Sequence, residues 1–249
     1  MLKKSLIIAC FIPCLLGGQE IPDPLRQPFA YCRYYPRHFS QSLRYVTDLN
    51  YHRDLLITGF LLIPAAFVLD EPVHHCAVEQ GLYSRKISRV GDKIGYRWGY
   101  YGAAGFVLTH GFVRRQPFRR TFAQVELLAS GVITTGIVTG WIKFLTHRQR
   151  PDGSSYTSFP SGHTSGSFAL AAGLAEIYGS QAGSLAYLLA AFVASSRIND
   201  NKHYLSDVVA GACLGTLIGR SFARQHRFEW QTEPTLQGER IGIKITMRL

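Results

Sequence analysis

The chain has 249 residues, with 27 Lys and Arg against 16 Asp and Glu, and a formal net charge of +11 at pH 7. That length suits one domain with a core of its own, and a 47% hydrophobic content is high for a water-soluble chain but low for a protein made only of six membrane spans. The basic excess asks for an anionic partner, either a phosphorylated substrate or a membrane surface; the lack of a Lys/Arg-rich tail and of zinc-finger spacing argues against nucleic acid.

Residues 1–18, "MLKKSLIIACFIPCLLGG", place Lys3 and Lys4 before an apolar run from Leu6 to Leu16 and end on Gly17 and Gly18. This is the pattern of a secretory signal peptide, too short for a comfortable membrane span, and it implies export across the inner membrane to a periplasmic location, with membrane association left open. Residues 19–50 carry four prolines by residue 36 and read as an irregular wrap, with a helix possible after Arg37. Residues 51–224 then hold six apolar segments: 54–69, with Pro64 as a kink, 96–113, 122–146, 163–179, 184–196 and 204–223. Between the first two, residues 70–96 are polar and loop-like with room for one short helix. "VRRQPFRR" before residue 121 is a basic loop suited to solvent or to an anionic membrane surface. The 225–249 tail ends in "RIGIKITMRL", which alternates as one edge strand does. Cys32 and Cys76 could pair in an oxidising compartment, while Cys213 reads as a small buried residue.

No strand pattern precedes the tail, so the expected fold is all-α, a six-helix bundle-type domain with an irregular N-terminal segment and a short β-like tail. The apolar segments are short and interrupted, which favours a globular body over six spans. Gly211, Gly215 and Gly219 in the last helix, and Gly166, Ala169 and Gly173 in the fourth, would let those two pack closely.

Three stretches carry chemistry. In "KFLTHRQRP", Lys143 lies two helical turns before Arg150, and Pro151 biases Arg150 out of the helix. In "SFPSGHTS", Ser161 suits an N-cap and Gly162 a close backbone approach, so the turn before the helix can hold an anion with His163 at its lip. In "SRINDNKHYLSD", Asn199, Asp200 and Asn201 read as a turn, with Arg197 at one helix end, His203 at the start of the next and Asp207 four residues on, on the same face.

Together these stretches resemble the type 2 phosphatidic acid phosphatase / vanadium haloperoxidase superfamily, which is marked by Lys-x6-Arg-Pro, Pro-Ser-Gly-His and Ser-Arg-x5-His-x3-Asp. The resemblance covers roughly residues 50–223 and implies a phosphatidic acid phosphatase/haloperoxidase-like catalytic domain. It implies that His203 is the nucleophile, oriented by Asp207, that His163 is the general acid, and that Lys143, Arg150, Ser161, Gly162 and Arg197 bind phosphate. The implied activity is metal-independent, cofactor-free hydrolysis of a phosphomonoester or of a lipid phosphate or diphosphate through a phosphohistidine. The alternatives are a vanadium-dependent haloperoxidase, against which chain length argues, and a non-catalytic phosphate- or lipid-binding protein. No Cys/His spacing or carboxylate cluster suggests a bound metal.

Overall fold

The computed structural model describes residues 28–224, 229–237 and 240–248; the leader expected at 1–18 lies outside the described residues. All six apolar segments are helical: α2 (Arg53–Val68), α5 (Gly99–Val113), α6 (Phe118–Thr146), α7 (Gly162–Tyr178), α8 (Ser180–Asn199) and α9 (Leu205–Ala223). Three further helices bring the count among the described residues to nine α-helices: α1 (Pro28–Val46), α3 (Asp70–Glu79) and α4 (Arg85–Lys93). A π-helical turn, Ile94–Trp98, joins α4 to α5.

The region expected to be irregular is therefore helical from Pro28. Pro28 occupies the first position, where a missing N–H costs nothing, and only Pro36 lies inside the helix. Tyr35 and Phe39 stack at 6.1 Å, and Phe39 meets the ring of Phe222 of α9 edge-on at 5.6 Å, so α1 is held by tertiary packing. The polar stretch at 70–96 gives two helices and the π turn where one short helix was expected. The single tail strand is half of an antiparallel hairpin, β1 (Glu229–Gln237) with β2 (Arg240–Arg248), in which Trp230 pairs with Met247. β1 escapes a reading by pattern because the alternation in "EWQTEPTLQ" is weak, Thr232 and Pro234 standing between Trp230 and Leu236, and because Pro argues against a strand; a two-stranded ribbon has only edges, where Pro is tolerated. Cys76 is free and lies 3.6 Å from Gln80 Oε1, while the side chain of Cys32, with which it could have paired, lies outside the described residues.

At the centre, α9 lies against α7, flanked by α6 and α8. The closeness of α7 and α9 follows from the glycine stripe on α9: a Cβ on Gly215 would stand 2.1 Å from Ser165 O, and one on Gly219 would stand 2.1 Å from Ala169 O. On α7 Ala169 and Gly173 of the expected trio take part in this seam, Gly173 bordering Leu128 as well; Gly166 admits the Tyr100 hydroxyl instead.

The outer surface is unlike that of a globular soluble body. Phe60 of α2, Phe112 of α5 and Phe144 of α6 are 80%, 85% and 76% exposed, and Ile133, Ile137 and Trp141 continue the apolar face of α6. Two helices, α6 with 29 residues and α9 with 19, are long and apolar enough to cross a membrane; the α2–α3 pair, bent by 60°, makes a third if counted as one span. Short apolar stretches in the sequence had favoured a globular form, but α6 extends four residues N-terminal to its apolar run, and the apolar side chains face outward. Such a surface suits association with a membrane.

Candidate active site

Five elements deliver side chains to one end of the bundle. α6 ends at Thr146, and His147 closes it with a left-handed backbone (φ 43°), turning the chain before Arg150 as Pro151 required. Lys143, in the last turn of α6, donates from Nζ to Thr157 O and to Ser158 O, the latter at 3.2 Å. Ser161 occupies the N-cap position of α7 but its hydroxyl makes no capping bond; it accepts from Thr164 Oγ1 at 3.1 Å. The first-turn N–H groups beyond Gly162 therefore have no side-chain cap. Ser161 N donates to Asp207 O at 2.9 Å, which ties this turn to α9.

The third stretch folds as its residues suggest. α8 ends at Asn199, Asn201 takes a left-handed backbone (φ 57°), and His203 N donates to Arg197 O at 3.3 Å. The turn thus folds His203 back on Arg197. His203 and Asp207 are almost completely buried, and His203 Nδ1 lies 3.5 Å from Asp207 Oδ2. Asp207 is also held by Ser158 Oγ (2.5 Å) and Tyr204 N (2.9 Å), both on Oδ2, and by Arg148 Nη1 on Oδ1 (2.8 Å). Its carboxylate is thus fixed on several sides before any substrate arrives.

All eight expected residues belong to this cluster. Arg150 acts electrostatically on both His163 and His203, Lys143 on His203, and Arg197 on His163. Burial holds the His203 imidazole below its ordinary value of 6.5, and the nearby cations add to this against the pull of Asp207. Burial, then the Arg197 charge, lower His163 to about 4, with Asp92 opposing. Arg150 Nε and Arg197 Nε are buried and unpartnered, donors that an anion would satisfy.

Four further residues were not legible. Arg148 joins Asp207 to Asp70 of α3 (2.7 Å) and also reaches Ser206 Oγ (2.6 Å). Asp70 in turn accepts from Ser206 N at 2.8 Å. Ser158 holds Asp207, and Asp92 of α4 meets Arg197 Nη1 at 2.5 Å and His163 Nε2 at 3.3 Å. Arg148 stood in view two residues before Arg150, but nothing in the sequence separates it from the solvated cations around it. Asp92 lies in a stretch with no motif. Asp152, just past Pro151, pairs with Lys202 at 2.5 Å and so ties the Arg150 loop to the turn before His203.

Because Arg148 bridges two buried carboxylates while remaining partly exposed itself, Arg148→Met is expected to cost about 2 kcal/mol, between the limits for exposed and fully buried pairs. Thermal unfolding in detergent reads this as a drop of ~4–8 °C; an unchanged melting temperature would show that the bridge contributes nothing.

Comparison with known proteins agrees with this geometry. Residues 125–231 match the family model described as the PAP2 superfamily. A lipid A 1-phosphatase from Porphyromonas gingivalis is 37% identical over 100 residues, 38% of this chain and 22% of that protein, so the chain spans under a quarter of the length of this relative. Among solved structures, a transmembrane PAP2-type phosphatidylglycerolphosphate phosphatase from Bacillus subtilis is similar with a TM-score of 0.49 at 20% identity, over 66% of this chain and 90% of that one. Aquifex aeolicus LpxE gives a TM-score of 0.45 at 20% identity, over 61% of this chain and 92% of that one. The matched segment, 125–231, is under half of the chain but holds all three stretches from Lys143 to Asp207, and it is over this segment that the chain is similar to the PAP2 superfamily.

Proposed function

We propose that the protein is a phosphatase that hydrolyses a lipid phosphate or diphosphate at the outer face of the cytoplasmic membrane, through a phosphohistidine on His203. The observation that carries this reading is the convergence of the buried His203 imidazole and the partly buried His163 imidazole with Arg150 and Arg197, whose Nε–H groups have no partner.

In this mechanism the His203 Nε2 lone pair attacks phosphorus, forming a P–N bond as the bond to the leaving oxygen breaks. Asp207, facing Nδ1, fixes the tautomer and stabilises the charge that develops. The His163 imidazolium gives its proton to the leaving oxygen. Water then attacks phosphorus, His163 takes its proton, and the P–N bond breaks to release phosphate and neutral His203. Lys143, Arg150 and Arg197, with the Ser161 hydroxyl and the Gly162 N–H, stabilise the equatorial oxygens, so no step passes through a metal.

Three features support a lipid substrate. A cavity of about 370 Å³ between α5, α7 and α8 is lined by apolar side chains, among them Leu170, Leu185 and Leu189. Its end at Ile94 and Val193 adjoins Gly95, where an added Cβ would stand 3.1 Å from His163. Second, α4 turns Arg85, Arg89 and Lys93 to one side and Ile87 and Val90 to another, a pattern suited to lying at headgroup level. Third, the basic loop with Arg114, Arg115, Arg119 and Arg120 lies at the far end of α6 from Lys143, about 36 Å away at 1.5 Å per residue. The positive-inside rule then sets that loop in the cytoplasm and the site outside.

Phosphate release from phosphatidate, a polyprenyl diphosphate and p-nitrophenyl phosphate by the purified protein tests this. At least one lipid is expected to be turned over with a kcat/KM about 10²-fold above the soluble ester, since the tail supplies binding energy. After division by the titration of the substrate phosphate, the acidic limb of kcat/KM is expected below pH 6.5, because His203 must be neutral to attack and burial lowers its proton affinity. No release from any lipid, or a limb above that value, would refute the proposal.

A further inference from the structure

The geometry points to Asp92 as the positioning residue of the catalytic acid: its carboxylate anchors the His163 imidazolium that protonates the leaving oxygen. This rests on the roles proposed above for His163 and His203.

Asp92 occupies the last turn of α4, outside the three stretches that mark the family. One of its oxygens, Oδ1, stands 2.5 Å from Arg197 Nη1 and 3.3 Å from His163 Nε2. The approach depends on the π turn that follows, where Gly95 has only hydrogen on the side facing Val193 and His163; a Cβ there would stand 2.5 Å from Val193. A larger residue would push α4 away and take Asp92 with it.

The need for this carboxylate follows from what surrounds His163. Arg197 reaches it from α8, Arg150 and His203 from the connecting segments, and the Tyr96 ring lies 6.1 Å away on the π turn. The two arginines and His203 all disfavour a proton on His163, as burial does, and Asp92 is the group that favours one. An acid must hold its proton until the leaving oxygen needs it. When a phosphate dianion enters, it engages Arg197, and the Asp92 carboxylate is left to the imidazolium. Asp92 would then serve His163 as Asp207 serves His203.

The alternative role is simpler: Asp92 does no more than hold Arg197 in place. Leaving-group chemistry separates the two. A nitrophenolate departs without being protonated, whereas an alkoxide does not. Asp92→Asn is therefore expected to lower kcat/KM about tenfold or more for a long-chain alkyl phosphate, less than about twofold for p-nitrophenyl phosphate, and to move the basic limb of the alkyl profile to lower pH. KM is expected not to rise, because the substitution frees Arg197 for phosphate. Asp92→Glu should recover part of the alkyl activity, and it provides the same comparison should the Asn variant fold poorly. Equal losses on the two esters, a rise in KM alone, or no change would overturn the assignment. Wild-type protein inert toward both esters would instead refute the phosphatase reading itself.

Discussion

His203→Ala is expected to abolish lipid phosphate hydrolysis, lowering turnover about 10⁴-fold or more, while orthovanadate or phosphate still binds. The size of the effect follows from the role: without the imidazole no covalent intermediate forms, and losing a nucleophile costs as much as losing the machinery that serves it. Retained binding follows from the proposed roles, in which Lys143, Arg150, Arg197 and the Ser161–Gly162 turn grip the anion. His203 reaches the site through a backbone bond to Arg197 O, which the substitution leaves intact. In wild type, rapid quenching with a labelled substrate should trap acid-labile phosphate on the protein, and the variant should trap none. Turnover by the variant within tenfold of wild type would remove His203 from the chemistry. Loss of anion binding together with turnover would make it a structural residue.

The largest expected effect on stability falls on a residue that touches no substrate. Gly215→Val sets a Cβ 2.1 Å from Ser165 O and 2.9 Å from Ala169 N. The obstacles are backbone atoms, which no rotamer change can clear, so α7 and α9 must separate. The cost is about 3 kcal/mol or more, the upper range for overpacking. Activity is expected to fall too, because the bond from Ser161 N to Asp207 O spans the same seam and sets the phosphate-binding turn against the His203 partner. Gly136→Ala on α6 is the control: a Cβ there meets nothing within 4 Å, so it should be neutral or slightly stabilising. Melting curves in one detergent compare the two. Gly215→Val melting with wild type would show that the seam yields more easily than its distances allow.

What the sequence revealed divides by the range of the interactions. The ends of α6, α8 and α9 follow from local chemistry, namely Pro151 after Arg150 and the Asn199–Asn201 turn, so Lys143, Arg150, Arg197 and His203 could be read at helix ends. The Gly211-Gly215-Gly219 stripe likewise announced a close seam, although its partner positions on α7 were only partly right, because a stripe of small residues does not say which neighbour it admits. Asp70, Asp92, Arg148 and Ser158 escaped because each draws its meaning from a partner far along the chain: Asp92 from Arg197, Asp70 from Ser206 and Arg148. α1 escaped for a different reason. Its prolines lower helix propensity, and the packing of Phe39 on Phe222 that outweighs them is visible only once the chain is folded.

The length of α6 carries one more consequence. At 1.5 Å per residue, its 29 residues reach about 43 Å, well beyond a hydrocarbon layer of about 30 Å. In the proposed orientation, with Arg119 and Arg120 among the phosphates of one leaflet, the helix would act as a ruler that lifts the Lys143 ammonium to the phosphate plane of the other. A lipid would then meet the cradle with its scissile bond already at the right height, and esters set deeper or floating free in solution would have to find that level unaided.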